Sequence, residues 1–298
     1  MSIYQGDAGR PDRVAFLTDE PALESVYEAT VGFIERSVAE SDAEGVVVAM
    51  SGGIDSTVTA ALAADALGSD RVIGLGLPRT KRETLDVSDA RTIAEGMGLE
   101  YHEANVRPLL EEFTDALAPA IEPAESDGED DPPHLAVGNV VSRLRMCCAY
   151  YVANRSSHLV LGTANRSELL LGYFTKYGDG GVDLNPIGDL YKTEVRALAR
   201  HLGLPKRIVS KEPTAGFWTG QTDASELGAP YEQLDPLLRR TVDRGEPLED
   251  AVADLDIDAK TAREIVSRCV ETRHKRFTPP TPGIGARHAE VWSSTVEE

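Results

Sequence analysis

The stretch GVVVAMSGGIDSTVTAALAADALG, residues 45–68, contains an apolar run, a glycine-rich turn and a helix-forming run in direct succession. The run at 45–50 is short and rich in β-branched valine, which is typical of a buried strand. The run at 56–68 is rich in alanine and leucine and ends in glycine, as helices do. The stretch therefore predicts a strand, a tight loop and a helix that begins at the loop.

The alternation of apolar runs and helical patterns continues after residue 68. The segments are RVIGLGLP (71–78), TLDVSDARTIAEGMG (84–98), EYHEANV (100–106), a long helix around 135–154, HLVLGT (158–163) and a helix near 165–172. Strands separated by such helices form parallel sheets with helices on both faces. The sequence therefore predicts an α/β fold with a doubly wound parallel sheet and a mainly helical C-terminal part over 191–273.

Two segments depart from this pattern. The segment 119–134 is rich in proline, aspartate and glutamate and predicts an acidic surface loop, and 278–298 predicts a flexible tail. No internal repeat and no clear linker divides the chain. We therefore expect residues 1–298 to form one domain.

The composition argues against several classes of partner. The 298 residues include 50 acidic and 30 basic side chains, and the formal charge of −20 repels the phosphate backbone of nucleic acids. No run approaches the roughly 20 apolar residues of a membrane span, and the start lacks the order of a signal peptide. We therefore expect a cytoplasmic protein that binds neither nucleic acid nor membrane. The surface, acidic and poor in lysine, is similar to that of proteins from halophilic organisms.

The loop SGGIDS, residues 51–56, has the properties of an anion site. Its glycines let backbone N–H groups approach an anion, the helix that follows adds a partial positive charge, and Ser51 and Ser56 add hydroxyl donors. Neither the Walker A pattern nor the dinucleotide fingerprint is present. Asp55 would repel a polyphosphate unless Mg²⁺ lay between them. The alternatives are a serine-rich helix cap without a ligand and Asp55 as a helix cap.

Further motifs follow this loop in a fixed order. They are GNV (138–140), RLRM (143–146), GTANRSE (162–168), GYFTKYGD (172–179), KEPT (211–214) and HKR (274–276). The loop resembles that of the ATP pyrophosphatases, which cleave ATP between the α and β phosphates. The whole set, over residues 20–277, resembles the NAD synthetase family. Four lysines, Lys176, Lys192, Lys211 and Lys275, lie in or beside these motifs, and we expect at least three to face phosphates or the dinucleotide.

The resemblance implies an adenine nucleotide alpha-hydrolase-like fold and a set of site residues. Asp55, Glu168 and Lys192 would act in catalysis, with Asp55 and Glu168 as ligands of Mg²⁺. The implied ATP-binding residues are Ala49, Met50, Ser51, Gly52, Gly53, Ile54, Asp55, Ser56, Thr163, Lys192 and Thr214, and those for deamido-NAD are Arg143, Lys176, Asp183, His274 and Lys275.

Several of these residues have a structural alternative. Glu168 could be an exposed helix carboxylate, Arg143 part of a surface ion pair, His274 a packed tail residue and Asp183 a turn residue. The sequence also departs from the family at Gly76, where bacterial members often have an arginine before Leu-Pro, and Arg79 is the nearest possible replacement. The adenine-side contacts therefore stay open.

The resemblance implies that ATP, as co-substrate, adenylates the nicotinate carboxylate of deamido-NAD, which ammonia then converts to the carboxamide of NAD with release of AMP and pyrophosphate. Glutamine-dependent members carry an amidase domain of a few hundred residues before the synthetase, whereas the first strand begins here at residue 45. We therefore expect ammonia to be the nitrogen donor. Another amidating or thiolating enzyme of the superfamily and a non-catalytic nucleotide-binding module are the competing hypotheses.

The resemblance also implies a homodimer with its dinucleotide site at the subunit interface. The helix around 135–154 carries an apolar stripe formed by Val137, Val140, Val141, Leu144, Cys148, Tyr151 and Val152. Such a stripe would suit a two-fold contact. Packing of this stripe inside its own subunit is the alternative.

Overall fold

The computed structural model of the protein describes residues 16–121, 134–214 and 221–282. Its strands are Gly45–Ala49 (β1), Val72–Gly76 (β2), Glu100–Glu103 (β3) and His158–Leu161 (β4). Its α-helices are Glu20–Glu40 (α1), Ile54–Leu67 (α2), Lys81–Met97 (α3), Arg107–Ile121 (α4), His134–Ser156 (α5), Arg166–Leu171 (α6), Lys192–His201 (α7), Lys206–Val209 (α8), Asp223–Leu227 (α9), Tyr231–Leu238 (α10), Leu248–Val252 (α11) and Ala259–Glu271 (α12).

The four strands form one parallel sheet in the order β3-β2-β1-β4. Val46 of β1 lies opposite Val72 of β2 on one side and Leu159 of β4 on the other. The chain moves outward from β1 to β3 and then returns to the other side of β1, so the winding reverses between β1 and β4. In open α/β sheets, ligands bind beyond the carboxyl ends of the strands at such a reversal. The predicted doubly wound parallel sheet is confirmed.

Side chains of β1 alternate between two apolar layers, because successive residues of a strand point to opposite faces. Val46 and Val48 pack with residues of α1, α2, α3 and α7. Val47 packs on the opposite face with residues of α4 and α5. All three valines are fully buried. The loop that follows β1 is therefore held by a strand that is covered on both faces.

The C-terminal part is helical, as predicted, and has an apolar cluster of its own. The cluster joins α6, α10, α11 and α12, and its fully buried members include Leu171, Leu234, Leu237, Leu238 and Ala251. Because α10 contacts both α6 and α7, the cluster holds these two helices together beside the sheet.

The two predicted irregular segments are described only in part. Residues 119–121 belong to α4, so an acidic loop that begins at 119 is wrong at this boundary, and residue 134 is the first of α5. Residues 122–133 of the predicted loop and 283–298 of the predicted tail lie outside the described residues, whereas 278–282 are exposed and have no regular structure. In the part of the chain that the structure describes, no helix is long and apolar enough to span a membrane.

The predicted apolar stripe of α5 divides between core and surface. Val141 is fully buried and packs against the sheet, and Cys148 and Val152 pack against the same cluster. Tyr151, in contrast, is 64% exposed. Val141 therefore cannot form a subunit contact, because its side chain is already enclosed by its own chain.

Candidate functional site

The glycine-rich loop 51–56 lies where the sheet reverses its winding, between the ends of β1 and β4. Met50 donates its N–H to Leu75 of β2 (2.9 Å) and so extends the pairing of β1 up to the loop. The side chains of Met50 and Ile54 are buried in the core. The loop therefore presents its backbone, Ser51, Gly53 and Asp55 to the outside, and α2 begins directly behind it.

Weak internal hydrogen bonds hold the serines of the loop. Ser51 N–H and Ser51 Oγ each lie 3.3 Å from Ser56 Oγ, and Gly53 N–H donates to Ser51 Oγ at 3.3 Å. These distances are at the long end of the hydrogen-bond range. The donors can therefore transfer to phosphate oxygens at little cost in free energy.

Gly52 is required for the shape of the loop. Its φ is +73°, a conformation that side chains of L-residues rarely adopt, and a Cβ at this position would collide with the carbonyl oxygen of Asp86 in α3.

We expect Gly52→Ala to lower the free energy of unfolding by about 2–3 kcal/mol, because it adds backbone strain and a steric collision. It should also raise KM for ATP. Urea denaturation and initial rates will test both effects. Gly96→Ala is the matched control, since a Cβ there meets no atom within 4 Å, and alanine in a helix should raise stability by up to about 1 kcal/mol. Equal stability of the two variants would contradict the role of Gly52.

Asp55, Glu168 and Lys192 meet beside this loop. Lys192 Nζ lies 2.5 Å from Asp55 Oδ2 and 3.2 Å from Glu168 Oε1, and the residue is only 2% exposed. Although burial opposes its charge, the two carboxylates raise the pKa of Lys192. Burial raises the pKa of Glu168 against the effect of Lys192, and Asp55 adds to the rise. Negative charge is therefore in excess around one buried ammonium group.

A capping box at the start of α6 orients Glu168. Asn165 is the N-cap and accepts from Glu168 N–H (3.0 Å), while Glu168 Oε2 accepts from Asn165 N–H (3.2 Å). Asn165 Nδ2 also donates to Asp55 Oδ1 (3.0 Å). Glu168 is thus not an exposed helix carboxylate, and Asp55 is not a helix cap, since Gly53 is the N-cap of α2.

A buried hydrogen-bond chain fixes the start of α7, from which Lys192 extends. Lys192 N–H donates to Ser167 Oγ (3.0 Å), and Ser167 Oγ donates to Asp235 Oδ1 (2.6 Å). Asp235 Oδ2 also accepts from Thr193 N–H (2.9 Å). Asp235 of α10 therefore holds the backbone of Lys192 and the start of α6 in one arrangement. Burial raises the pKa of Asp235 to about 6, although Ser167 and Thr193 donate to it.

Stability should consequently fall as pH rises from about 4 to about 6. The folded pKa of Asp235 lies above the ordinary value of about 3.9, so in this window the native state binds a proton that the unfolded state has released. The difference in unfolding free energy between wild type and Asp235→Asn should fall by on the order of 3 kcal/mol across it. Urea denaturation at constant salt will measure this, with Asp254→Asn, at an exposed position, as control. A difference that stays constant with pH would contradict the prediction.

The carboxylates of Asp55 and Glu168 could hold a divalent cation. Both side chains are 17% exposed, and their oxygens are the hard donors that Mg²⁺ prefers. Within residues 16–121, 134–214 and 221–282, no group of three or more Asp, Glu, His or Cys side chains is arranged around a metal position. Mg²⁺ is usually held by one or two carboxylates together with phosphate oxygens and water, so this pair fits such an ion.

A cleft of about 420 Å³ opens near the loop and is lined by α7, α9 and the segment 209–213. Lys211 on its wall donates to Asp86 (2.7 Å) and to the carbonyl oxygen of Gly52 (3.3 Å), so its ammonium group lies at the loop. Thr214 is exposed at the end of the described segment, and Thr163 is half-buried after β4. Of the four lysines in or beside the motifs, Lys192 and Lys211 therefore border the loop.

Lys176 and Lys275 form a crosswise contact between the loop after α6 and the turn after α12. Lys176 Nζ donates to the carbonyl oxygens of His274 (2.7 Å) and Phe277 (2.9 Å). Lys275 Nζ donates to those of Gly172 (2.7 Å) and Phe174 (2.9 Å). Both ammonium groups are engaged within the chain, and binding of a dinucleotide by either lysine stays a prediction.

The other residues implied for the dinucleotide occupy two places. Arg143 donates to the carbonyl oxygen of Lys176 (3.2 Å), and His274 is exposed beside the same turn. Asp183 lies apart from them at β4, where it accepts from Val160 N–H (2.8 Å) and from the Tyr150 hydroxyl (2.9 Å). The structure therefore brings Arg143, Lys176, His274 and Lys275 together and leaves Asp183 at the sheet.

Arg79 does not occupy the position of Gly76. A side chain at Gly76 would collide with the Tyr101 hydroxyl, whereas Arg79 pairs with Glu83 (3.4 Å) on the first turn of α3. Arg145 of α5 also binds Glu83 (2.7 Å). Glu83 therefore joins α3 to α5 at the end of β2.

A model of the family described as NAD synthase matches residues 26–279. The chain belongs to the NAD synthase family. It is 40% identical to the NH₃-dependent NAD⁺ synthetase of Methanosarcina acetivorans over 263 residues, which are 88% of this chain and 99% of that one. Members of the NAD synthase family use ATP as a co-substrate, which agrees with the anion-binding features of the loop.

Solved structures of related enzymes share this fold, including the following two. An NMN synthetase from Francisella tularensis has a TM-score of 0.75 and 32% identity, with 87% of this chain and 98% of that one covered. An NH₃-dependent NAD synthetase from Campylobacter jejuni has a TM-score of 0.70 and 28% identity with the same coverage. The adenine nucleotide alpha-hydrolase-like fold that the motifs imply is confirmed.

Three polar residues of this NAD synthase site were not assigned a role from the sequence. Asn165 bridges Asp55 and Glu168, Asp235 holds the start of α7, and Asp223 lies near Lys192. Asn165 falls within the motif GTANRSE, so its place in that motif could have indicated a role in the site. No sequence signal identifies Asp223 and Asp235, because a buried aspartate in a short helix cannot be distinguished by sequence from a solvent-exposed one.

Proposed function

We propose that this chain is an ammonia-dependent NAD synthetase that adenylates the nicotinate carboxylate of deamido-NAD with ATP and then amidates it. The single observation that carries the proposal is the group formed by Asp55, Glu168 and Lys192 beside a phosphate-binding type of loop, in a chain of the NAD synthase family. The relative from Methanosarcina, which this chain matches over 99% of its length, supports ammonia as nitrogen donor.

The reaction needs activation because a free carboxylate resists attack by ammonia, since its leaving group would be an oxide. The nicotinate oxygen attacks the α-phosphorus of ATP in line, and pyrophosphate leaves. Ammonia then attacks the carbonyl carbon of the acyl adenylate, and AMP leaves. One nitrogen is incorporated for each AMP and each pyrophosphate released.

Residues of this chain bind and orient the polyphosphate during the first step. The backbone N–H groups of Gly52 and Gly53 and the start of α2 face phosphate oxygens. Asp55 and Glu168 would hold Mg²⁺, which supplies charge neutralisation on the phosphates. Lys192 and Lys211 stabilise the negative charge of the departing pyrophosphate.

The decisive assay uses purified protein in molar KCl with ATP, Mg²⁺ and deamido-NAD, and with either ammonium or ammonia-free glutamine. We expect NAD and AMP in equal amounts with ammonium and only background with glutamine. AMP without NAD would favour another adenylating enzyme, and neither product would favour a nucleotide-binding module. Equal rates with both nitrogen donors would contradict the ammonia-dependent assignment.

The similarity to an NMN synthetase makes nicotinate mononucleotide the alternative substrate to test. We expect kcat/KM for deamido-NAD to exceed that for nicotinate mononucleotide by about tenfold or more, because the shorter substrate lacks the contacts of the adenylate half. Competition between the two in one reaction gives this ratio directly. The reverse preference would reassign the substrate and leave the chemistry unchanged.

We also propose that the protein forms a homodimer through α4 and exposed apolar side chains of α5. Leu109, Phe113 and Leu117 recur at every fourth position of α4 and are each more than 40% exposed. Leu135 and Tyr151 of α5 are also exposed. A row of exposed apolar side chains along one helix, as on α4, is typical of a protein interface.

Light scattering in high salt should give a dimer for wild type and a monomer for Phe113→Asp. The monomer should bind deamido-NAD more weakly than wild type while ATP binding changes less. Phe33→Asp is the matched control, since Phe33 of α1 is similarly exposed (37%) on the other face of the sheet. A monomeric wild type with full activity would refute the proposal.

A further inference from the structure

Asp223 is a buried carboxylate with one unsatisfied oxygen. It is 3% exposed, and its Oδ2 accepts from the Tyr231 hydroxyl (2.8 Å). Its Oδ1 is enclosed and has no hydrogen-bond partner among the described residues. Leaving a buried polar atom unpaired is unfavourable, and more so when the group carries charge. A second arrangement of the site in which Oδ1 has a donor is therefore expected.

The Tyr173 hydroxyl also lies near Asp223, but it donates its one hydrogen to Glu226. The ammonium group of Lys192 is then the nearby donor that remains for Oδ1. Lys192 Nζ lies 5.3 Å from the centre of the Tyr231 ring, and the hydroxyl of that same ring binds Asp223. Burial raises the pKa of Asp223, and the positive charge of Lys192 opposes that rise. Because Ser167 fixes the backbone of Lys192 (3.0 Å), an exchange between carboxylates would have to come from rotation of its side chain.

The present position of Lys192 conflicts with the cation of the proposed function. Its ammonium group contacts one oxygen of Asp55 and one of Glu168, which are the ligands that Mg²⁺ would need. Two positive charges between the same two carboxylates would repel each other strongly. Expelling a buried ammonium group without a new counter-ion would also be costly. The lysine therefore needs a second carboxylate.

We propose that Asp223 is this second position: when a divalent cation binds Asp55 and Glu168, the Lys192 ammonium group moves to Asp223 Oδ1. This inference rests on the proposed function, in that it takes Asp55 and Glu168 as the cation ligands. Asp223 is then a positioning residue that acts through Lys192. Tyr231 orients the carboxylate by holding Oδ2, and the displaced ammonium keeps a counter-ion while facing the polyphosphate.

A double-mutant cycle on Mn²⁺ affinity tests this exchange without turnover. Electron paramagnetic resonance would measure free Mn²⁺ in titrations of wild type, Asp223→Asn, Lys192→Met and the double variant, without ATP. We expect Asp223→Asn to weaken binding by about tenfold in the wild-type background, within the range that neighbouring coupled groups show. In the Lys192→Met background it should weaken binding by no more than about threefold, as a distant charge would.

The same measurements distinguish failure of the lysine exchange from failure of the proposed cation site. An equal fold-change in both backgrounds would overturn the exchange, because Asp223 would then act on the cation directly. Wild-type affinity in Asp55→Asn would instead reject the cation site of the proposed function, whatever the cycle shows. Tyr231→Phe should weaken Mn²⁺ binding less than Asp223→Asn does, since it removes one hydrogen bond and leaves the carboxylate in place.

A structural measurement on the wild-type protein covers the case in which a variant does not fold. Crystals grown with Mn²⁺ and a non-hydrolysable ATP analogue should show Lys192 Nζ within about 3.2 Å of Asp223 Oδ1. Continued contact of Lys192 Nζ with both Asp55 and Glu168 in the presence of bound Mn²⁺ would overturn the proposal.

Discussion

Replacing Asp55 with Asn, or Glu168 with Gln, should lower kcat/KM for AMP formation by about a thousandfold, which corresponds to about 4 kcal/mol of transition-state stabilisation. Each change keeps the shape of the side chain and removes one hard, charged oxygen next to the loop. Asn at position 55 can offer its one amide oxygen to Asn165 or to Lys192, and Lys192 keeps Glu168 as a counter-ion in either case. The loss should therefore lie in catalysis rather than in folding.

Pyrophosphate release measured with saturating ammonium will test this prediction. Circular dichroism and thermal unfolding should be close to wild type for both variants. Asp254→Asn, an exposed change on the far C-terminal part, should keep full activity and controls for loss of one negative charge. Near-normal AMP release by either site variant would remove Asp55 or Glu168 from the mechanism.

Lys192→Met should lower the free energy of unfolding by about 3–5 kcal/mol at neutral pH, because it removes one member of a buried charge group and leaves the others uncompensated. Asp55 and Glu168 lose their shared ammonium contact, and Asp223 loses its neighbouring positive charge. Methionine has a similar length, so the cavity effect should be small. Turnover should also be lost.

Urea denaturation in EDTA will measure the change, with Lys260→Met as the matched control, since the Lys260 side chain is 83% exposed. Added Mg²⁺ should recover much of the stability of Lys192→Met and change wild type less, because the cation can take the place of the ammonium group. An equal loss in Lys260→Met, or an unchanged stability in Lys192→Met, would show that the buried charge group does not stabilise the fold.

The α/β architecture was predictable because it depends on short-range patterns. The valines of β1, the glycines that follow and the alanine-rich α2 are contiguous, and each prefers the structure it adopts on local grounds. The alternation of strands and helices then predicts a parallel sheet. Helix boundaries were less predictable: the acidic segment was expected from residue 119, whereas α4 continues to Ile121.

The burial of helix residues was harder to predict than their location. The stripe on α5 was identified as a candidate interface, yet Val141 packs against the sheet and Tyr151 does not. Periodicity shows that one side of a helix is apolar, but it does not show whether the covering surface belongs to the same chain. The apolar residues on α4 become candidates for a subunit interface only once their exposure in the structure is known.

The chain's own sequence was sufficient to indicate the loop 51–56, its anion-binding character and the order of motifs that resembles NAD synthetase. These features are local, and they follow from backbone freedom, hydrogen-bond donors and hydrophobic periodicity. Only the tertiary structure determined that Lys192, 137 positions from Asp55, places its ammonium group between two carboxylates, and that Asp223 lies buried beside it. The physical reason is that such contacts depend on packing and desolvation across elements distant in the chain, for which neighbouring residues carry no signal.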